Sequence, residues 1–270
     1  MIVAQLTDLH TEEKGVFAYK VADTNIALRE TMDQLHRLRQ RPDCVVITGD
    51  LANSGKALAY ESLGNTLGRL DIPVYIIPGN HDKREALMQY LGRWCPAAPE
   101  LLPHLCYVVD SGPMRLVMLD TSIPDCHHGQ MPEAAGPWLE DTLCKSSKPT
   151  LLFMHHVPFR TGMGYMDEPF ENRDMLAAII REHPHVRLCC GHIHRGLVTG
   201  WQGRIAVAAP SVSMQMEVDL RDKGGDTFYL EAPGYALHTL INGEVMSYFC
   251  ASVSDAPYSG PHPFLGLNGE

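Results

Sequence analysis

Five short apolar segments, each followed at once by aspartate, asparagine or histidine, constrain the fold of this 270-residue chain more than any other feature. The segments are residues 2–6, 44–47, 73–77, 150–154 and 186–190, and their length and composition predict buried strands. The residues that follow them are Thr7-Asp8-Leu9-His10, Gly49-Asp50, Gly79-Asn80-His81-Asp82, His155-His156 and Gly191-His192-Ile193-His194. Because the carboxyl ends of parallel strands share one edge of an α/β sheet, we expect these clusters to converge there.

The segments between these strands predict an α/β fold. Residues 23–39 and 57–70 have apolar positions near a helical period, so the first part of the chain is a β-α-β-α-β series with parallel strands. Strands at 106–109 and 116–119 should pair antiparallel. Further helices are predicted at 134–143 and 173–182, and a late β-meander at 204–208, 227–231, 236–241 and 245–249. We predict one domain over residues 1–255 and an irregular tail, rich in proline and glycine, over 256–270.

Charge and composition exclude several classes of protein. The chain has 22 Lys and Arg against 32 Asp and Glu, and this surplus of negative charge without a basic run disfavours binding to a nucleic acid polymer. No stretch approaches the length of a membrane span, and the first residues lack the basic start of a signal peptide, so we expect a cytoplasmic protein without a membrane partner. The eight cysteines include no C-x-x-C pair and are predicted to be reduced and structural.

The motifs differ in how strongly they indicate a metal site. Asp8-x-His10 and Gly49-Asp50 are weak alone, because aspartate after a strand is common in caps and turns. Gly79-Asn80-His81-Asp82 is stronger, since a turn has no need of His-Asp after Gly-Asn. In Gly191-His192-Ile193-His194, two imidazoles at i and i+2 of an extended segment would project to one side. Five such clusters at strand ends are hard to explain by chance.

The donor types indicate the metals. The candidate ligands offer only oxygen and nitrogen, which suits divalent or trivalent Fe, Zn, Mn or Co. They are Asp8, His10, Asp50, Asn80, His155, His192 and His194. Seven donors are more than one ion needs, whereas two ions that share a bridging carboxylate can use them all, and Asp50 lies in the middle of the series.

In order and spacing, these motifs resemble those of the calcineurin-like metallophosphoesterases, in particular the class III cyclic nucleotide phosphodiesterase and bacterial glycerophosphodiesterase branch. The resemblance implies a four-layer α/β/β/α sandwich of two mixed sheets. It also implies one metal held by Asp8, His10, Asp50 and His194, and a second held by Asp50, Asn80, His155 and His192. His156 would be a neighbour of the second metal, although the residues alone leave a swap with His155 open. The sequence departs from the branch at Val157, where His-His-Pro-Pro is common.

The same resemblance implies hydrolysis of small phosphodiesters by attack of a metal-bound hydroxide. Glycerophosphodiesters are the first choice of substrate, 3′,5′-cyclic nucleotides such as cyclic AMP are the alternative, and a non-catalytic binding module on the same fold is a third interpretation. In this scheme Asn80 neutralises phosphoryl charge, His81 contacts the phosphoryl group or protonates the leaving alkoxide, and Asp82 orients an imidazole. By analogy with relatives, we also expect a homo-oligomer.

Other residues carry weaker expectations. The loop containing Met163, Tyr165 and Met166 is predicted to be a mobile surface loop rather than a substrate lid. Phe17 and Tyr19 could wall the pocket or pack in the core, and the sequence leaves both open. The remaining histidines match no ligand pattern and are predicted to lie at the surface or in hydrogen bonds. They are His127, His128, His183, His185, His238 and His262.

Overall fold

The computed structural model describes residues 1–110, 112–221 and 227–252. Strands and helices are numbered in chain order. They are β1 (Ile2–Leu6), α1 (Thr24–Arg37), β2 (Cys44–Thr48), α2 (Ala57–Leu67), β3 (Val74–Ile77), α3 (Arg84–Leu91), β4 (Tyr107–Val109), β5 (Arg115–Leu119), α4 (Ala135–Cys144), β6 (Thr150–Met154), α5 (Arg173–Glu182), β7 (Val186–Cys190), β8 (Leu197–Trp201), β9 (Arg204–Ala208), β10 (Gln215–Met216), β11 (Phe228–Tyr229), β12 (Gly234–Ile241) and β13 (Glu244–Ala251). The predicted tail at 256–270 lies outside the described residues, and the predicted domain boundary stays a prediction.

The first sheet has the strand order β13-β12-β1-β2-β3. Strands β1, β2 and β3 are parallel, as predicted, with α1 and α2 as the connections between them. Strand β12 pairs antiparallel with β1 and extends the sheet to β13 at the edge. All five residues of β2 are buried, as expected for a strand covered on both faces.

The second sheet has the order β4-β5-β6-β7-β9-β8. Its four inner strands are parallel, and the outer strands β4 and β8 pair antiparallel with their neighbours. The predicted antiparallel pairing of β4 with β5 is therefore confirmed. Both sheets are mixed.

Alternating side chains of the second sheet define the layers. In β6, Leu151 and Phe153 pack in the core shared with the first sheet, whereas Leu152 and Met154 pack with residues of α4 and α5. Helices α1, α2 and α3 contribute buried apolar side chains to the core of the first sheet. The predicted α/β/β/α sandwich is confirmed.

The predicted late β-meander is wrong. Strand β9 belongs to the second sheet, between β7 and β8, whereas β12 and β13 belong to the first. Strand β11 pairs with β10 in a separate two-stranded ribbon. An alternating pattern identifies a strand but not its partner, and the chain crosses from one sheet to the other between β9 and β12. Helix α3 and strand β8 were not predicted.

All eight cysteines are unpaired, and Cys44, Cys189 and Cys190 are buried as predicted. Within residues 1–110, 112–221 and 227–252, no helix combines the length and the apolar character needed to cross a bilayer.

A buried polar network joins the two sheets next to the strand ends. The Gln5 amide donates to Thr48 Oγ1 and to the Cys190 carbonyl, both at 2.9 Å, and its oxygen faces His238 Nε2 at 3.0 Å. His238 Nε2 must therefore carry a proton, and the Ser247 hydroxyl can donate to Nδ1 at 2.8 Å. This arrangement fits a neutral imidazole, and burial lowers the pKa of His238 to about 3.

We predict that His238→Gln reduces the acid sensitivity of the fold. Below about pH 6.5, His238 binds a proton in the unfolded chain but not in the folded protein. The free energy of unfolding of the wild type therefore falls by up to about 1.4 kcal/mol per pH unit. The difference in free energy of unfolding between wild type and His238→Gln, measured with urea, should therefore decrease by about 2 kcal/mol as the pH falls from about 6.5 to 5. Ser247→Ala keeps the titrating ring, so its gap should stay nearly constant. A constant gap for His238→Gln would contradict a neutral buried imidazole.

Candidate metal centre

The carboxyl ends of β1, β2, β3, β6 and β7 meet at one edge of the sandwich. The backbone N–H of Gly191 donates to the His155 carbonyl at 2.9 Å, which links the ends of β6 and β7. The N–H of His192 donates to Asp8 at 3.0 Å, and His155 Nδ1 donates to the Thr48 carbonyl at 2.7 Å, so the two sheets are joined as well. The predicted convergence is confirmed, with the edge shared between two sheets rather than belonging to one.

One group of ligand atoms comes from the ends of β1 and β2 and from the segment after β7. His10 Nε2 lies 3.1 Å from His194 Nε2 and 3.5 Å from Asp50 Oδ2, and His194 Nε2 lies 3.4 Å from Asp8 Oδ1. All four side chains are buried, and one ligand atom from each lies within 4.8 Å of the others. This set matches the four ligands that the resemblance assigned to one metal.

A second group lies on the other side of Asp50. The Asn80 side-chain oxygen is 3.0 Å from His155 Nε2 and 3.1 Å from His192 Nδ1. Asp50 Oδ2 is 3.5 Å from His155 Nε2, the same distance that separates it from His10 Nε2. Asp50 therefore reaches both groups, as a bridging carboxylate must.

The protonation of the first group shows what it can hold. His194 Nδ1 donates to the Met214 carbonyl at 2.9 Å, so a neutral His194 has a bare lone pair on Nε2. The Asn53 amide nitrogen donates to Glu12, which turns the Asn53 oxygen towards His10 Nδ1 at 3.2 Å and leaves a bare lone pair on His10 Nε2 as well. Two lone pairs 3.1 Å apart between carboxylates repel each other unless a cation lies among them.

The second group also offers donor atoms for a metal. His155 Nδ1 donates to the Thr48 carbonyl, and Nε2 lies 3.0 Å from the Asn80 oxygen, so Nε2 is the ring nitrogen that would bind a metal after it loses its proton. Asp50 Oδ2 also faces this nitrogen. Because the carboxylates here are buried, they need a positive charge nearby. Burial lowers the pKa of His155, but the carboxylates of Asp50 and Asp8 outweigh this effect and raise the pKa to about 9. The residues therefore fit a metal, and their oxygen and nitrogen donors suit Fe, Zn, Mn or Co.

Backbone strain is concentrated at the ligands. Asp8, His10, Asp50, His192 and His194 have positive φ angles of 53°, 45°, 50°, 71° and 48°. The prediction that His192 and His194 project to one side of an extended segment is wrong, because the left-handed turns send His192 to Asn80 and His194 to His10. One short segment thus supplies both groups.

Glycines precede three of the ligands because the chains approach too closely for a side chain. A Cβ at Gly191 would lie 2.0 Å from Thr7 Oγ1, one at Gly79 would lie 2.2 Å from Asp50 Oδ1, and one at Gly49 would lie 2.4 Å from His155 Nδ1. These contacts explain the Gly-Asp, Gly-Asn and Gly-His pairs of the sequence in physical terms.

His81 is held beside the centre without joining either group. Its Nδ1 donates to the Asn53 carbonyl at 2.7 Å, its backbone N–H donates to Asp50 Oδ1 at 2.9 Å, and its ring packs edge-on against His10. The side chain lines the cavity above the centre. Nε2 is therefore the ring nitrogen available to a substrate.

Asp82 has a different role from the predicted one. It contacts no histidine ring among the described residues, because its oxygens accept hydrogen bonds from three backbone N–H groups and the Tyr60 hydroxyl. The backbone donors are Leu51, Ala52 and Gly79. Burial raises the pKa of Asp82 to about 6. Asp82 thus ties the loop after β2 to the loop after β3, and it positions Asp50 and Asn80 through the backbone.

His156 lies beside the second group, and one of its ring nitrogens is within 4.8 Å of a ring nitrogen of His155 and of His192. Its Nδ1 is 2.8 Å from the Thr121 hydroxyl, whereas its buried Nε2 has no hydrogen-bond partner. Its ring is 4.8 Å from that of His155 and 4.7 Å from that of His192. Because His155 rather than His156 faces Asn80 and Asp50, the geometry favours His155 as the ligand.

A cavity of about 450 Å³ opens above the two groups. Both walls come from loops and short elements whose residues carry no motif, so sequence patterns could not identify them. One wall has Tyr19, Met214, Met216 and Phe228, and the other has His127, Tyr165 and Met166. Among the described residues that line the cavity, none is lysine or arginine.

This cavity settles several expectations. Tyr19 lines the cavity with its ring 5.5 Å from that of Phe228 and tilted by 52°, whereas Phe17 is exposed. In the loop predicted to be mobile, Tyr165 is exposed and Met166 is buried, and both line the cavity, whereas the mobility of the loop stays a prediction. His127 is hydrogen-bonded, as predicted, to Glu168 at 2.5 Å, but its ring also faces the cavity, 4.8 Å from that of His192.

Comparison with known proteins identifies the family. A family profile described as calcineurin-like phosphoesterase matches residues 1–196. The chain belongs to this family.

Among curated proteins, the chain is 34% identical to a probable glycerophosphodiester phosphodiesterase GpdQ of Arcobacter nitrofigilis, over 100% of this chain and 99% of that protein. It is 28% identical to the 3′,5′-cyclic adenosine monophosphate phosphodiesterase CpdA of Escherichia coli K12, over 86% of this chain and 82% of that protein. Among solved structures, purple acid phosphatase from yellow lupin superposes with a TM-score of 0.64 at 13% identity, covering 93% of this chain and 51% of that one. The last match supports the fold alone.

We predict that Gly191→Ala disrupts the centre. A methyl group 2.0 Å from Thr7 Oγ1 must displace the segment that carries His192 and His194, so metal content after reconstitution should fall at least tenfold, as measured by elemental analysis. Gly200→Ala is the matched control, because no atom lies within 4 Å of the added Cβ in β8. Full metal content in Gly191→Ala would show that this close approach is not required.

Proposed function

We propose that this protein is a binuclear-metal-dependent phosphodiesterase that hydrolyses small phosphodiesters, with glycerophosphodiesters as the first substrate class. The observation that carries the proposal is the pair of buried acceptor groups that share Asp50. Membership of the calcineurin-like phosphoesterase family supports it, as do the phosphodiesterase names of relatives that match over 100% and 86% of this chain.

Two ions of Fe, Zn, Mn or Co would be held by the two groups, with Asp50 between them, and would supply a hydroxide near neutral pH and positive charge for the phosphoryl oxygens. The first would use Asp8, His10, Asp50 and His194. The second would use Asp50, Asn80, His155 and His192. The pairing of seven donors into two sets with one shared carboxylate supports the number two.

The protein residues add orientation and proton transfer. The Asn53 carbonyl fixes the His81 ring through Nδ1, so Nε2 faces the cavity; as an imidazolium, the ring can donate a proton from Nε2 to the departing alkoxide or a hydrogen bond to the phosphoryl group. The Asn80 side chain, at the base of the cavity, contributes its amide dipole beside the phosphoryl charge. The ring contact with His10 keeps His81 close to the first group.

The charge of the cavity favours a diester over a monoester. A phosphomonoester carries about two negative charges near neutral pH, and proteins commonly bind such groups with arginine or lysine. The described lining of this cavity has neither residue, whereas a diester carries one charge that the metal centre can neutralise. The cavity, with a volume of about 450 Å³, also has room for two substituents on the phosphorus.

A cyclic nucleotide is the second candidate. The Tyr19 and Phe228 rings form an aromatic wall on which a nucleobase could stack, and one relative is named as a cyclic AMP phosphodiesterase. A non-catalytic binding module is disfavoured, because the structure brings all seven predicted ligands together. A cytoplasmic location and a homo-oligomer remain predictions from the sequence.

We predict that His81→Ala lowers kcat by about 10²–10⁴-fold with unchanged metal content, because the ring transfers a proton without binding metal. Elemental analysis and steady-state kinetics on the same preparation would separate the two effects. His128→Ala is the control, since His128 pairs with Glu171 and does not line the cavity. Loss of metal in His81→Ala would instead make His81 part of the metal-binding structure.

The substrate class is tested by kcat/KM on metal-reconstituted protein. We expect glycerophosphoethanolamine and bis-p-nitrophenyl phosphate to exceed p-nitrophenyl phosphate by at least tenfold, because the cavity suits a singly charged diester. If cyclic AMP gave the highest kcat/KM, the second candidate substrate class would be favoured instead. A preference for the monoester would overturn the diesterase proposal.

A further inference from the structure

A second cluster of metal-binding side chains lies outside the cavity, in the helical layer beside the second sheet. Glu140 and Cys144 occupy positions i and i+4 of α4, and His183 follows the last residue of α5. One ligand atom from each lies within 4.8 Å of the others, which makes this one of three such groups among the described residues. The proposed phosphodiesterase activity uses none of them.

The atoms are spaced as zinc ligands are. Cys144 Sγ lies 3.6 Å from Glu140 Oε1, and His183 Nε2 lies 3.2 Å from the same oxygen. Tetrahedral zinc, with a Zn–S distance of about 2.3 Å and Zn–O and Zn–N distances of about 2.1 Å, separates sulfur from oxygen by about 3.6 Å and nitrogen from oxygen by about 3.4 Å. A cation could therefore enter with small movements of the side chains.

The backbone holds the histidine in place before any metal binds. His183 is buried, with 7% of its surface exposed. Its backbone N–H donates to the Ile180 carbonyl at 3.3 Å, and its carbonyl accepts from Arg204 Nε at 3.1 Å. Positions i and i+4 of a helix face the same direction, so Glu140 and Cys144 both reach this ring. Only the glutamate and cysteine need to adjust.

The chemistry of the three donors also fits a cation. Glu140 Oε1 can only accept, so it faces the thiol proton of Cys144 and the Nε2 proton of His183 together. A divalent cation would displace both protons: the thiol proton leaves to solvent, and the imidazole proton moves to Nδ1. The two negative charges of the thiolate and carboxylate then balance the charge of the ion.

We propose that Glu140, Cys144 and His183 form a peripheral site for Zn²⁺ or a similar thiolate-binding divalent cation, with a fourth position open to water. The site joins the end of α4 to the end of α5. Its cysteine sets it apart from the binuclear centre, whose proposed ligands are all oxygen and nitrogen.

The difference in donors gives a direct test with Co²⁺. Sulfur-to-cobalt charge-transfer absorption reports a bound thiolate, so protein whose binuclear centre is already filled should develop this band as Co²⁺ is titrated further. We expect the band in the wild type and not in Cys144→Ser, and His183→Gln should need at least tenfold more Co²⁺. Cys126→Ser is the matched control, because this partly buried cysteine lies outside the cluster and should leave the band unchanged.

Folding and activity provide the remaining controls. Cys144→Ser should unfold at the wild-type midpoint without added cobalt and keep full phosphodiesterase activity, so loss of the band would report loss of the ligand alone. Absence of the band from the wild type, or its persistence in Cys144→Ser, would overturn the proposed site. A missing phosphodiesterase activity would instead concern the binuclear centre and leave this result intact.

Discussion

The main constraint on this structure is the repulsion among buried hydrogen-bond acceptors at the junction of its two sheets. His10 and His194 each donate a hydrogen bond from Nδ1 to a neighbouring oxygen, so in their neutral forms each turns a bare Nε2 towards the other, between two buried carboxylates. Such a cluster is stable only around positive charge. A metal cation bound here would relieve the repulsion and could also activate water, so the requirement for stability and the proposed chemistry coincide.

The surrounding backbone is built to maintain this arrangement. Five ligand residues have positive φ angles, and three glycines permit contacts that any side chain would prevent. Strain of this kind costs about 1–3 kcal/mol for each residue and persists only where neighbouring structure enforces it. Here Asp82 supplies part of that enforcement by binding the backbone of both the β2 and β3 loops. The buried network around His238 adds a further link between the sheets.

The clustering of the seven candidate ligands was predictable because each follows a strand of strongly apolar sequence, and strand ends are recognisable without knowledge of the partner strands. The walls of the cavity were not. Tyr19, Tyr165 and Phe228 lie on three separate segments, and no spacing relates them. The same reason explains the failed meander, since alternation reveals that residues 204–208 form a strand but not that its neighbour is β7.

The sequence by itself determined the fold class, the candidate metal-binding side chains and the absence of a run of basic residues for nucleic acid, because these depend on local pattern and composition. Tertiary structure alone decided that His192 and His194 serve different groups, that Asp82 holds backbone rather than imidazole, and that Glu140, Cys144 and His183 meet. These features depend on left-handed turns and on contacts between distant segments, and a linear pattern records neither the direction of a side chain nor its distant neighbours.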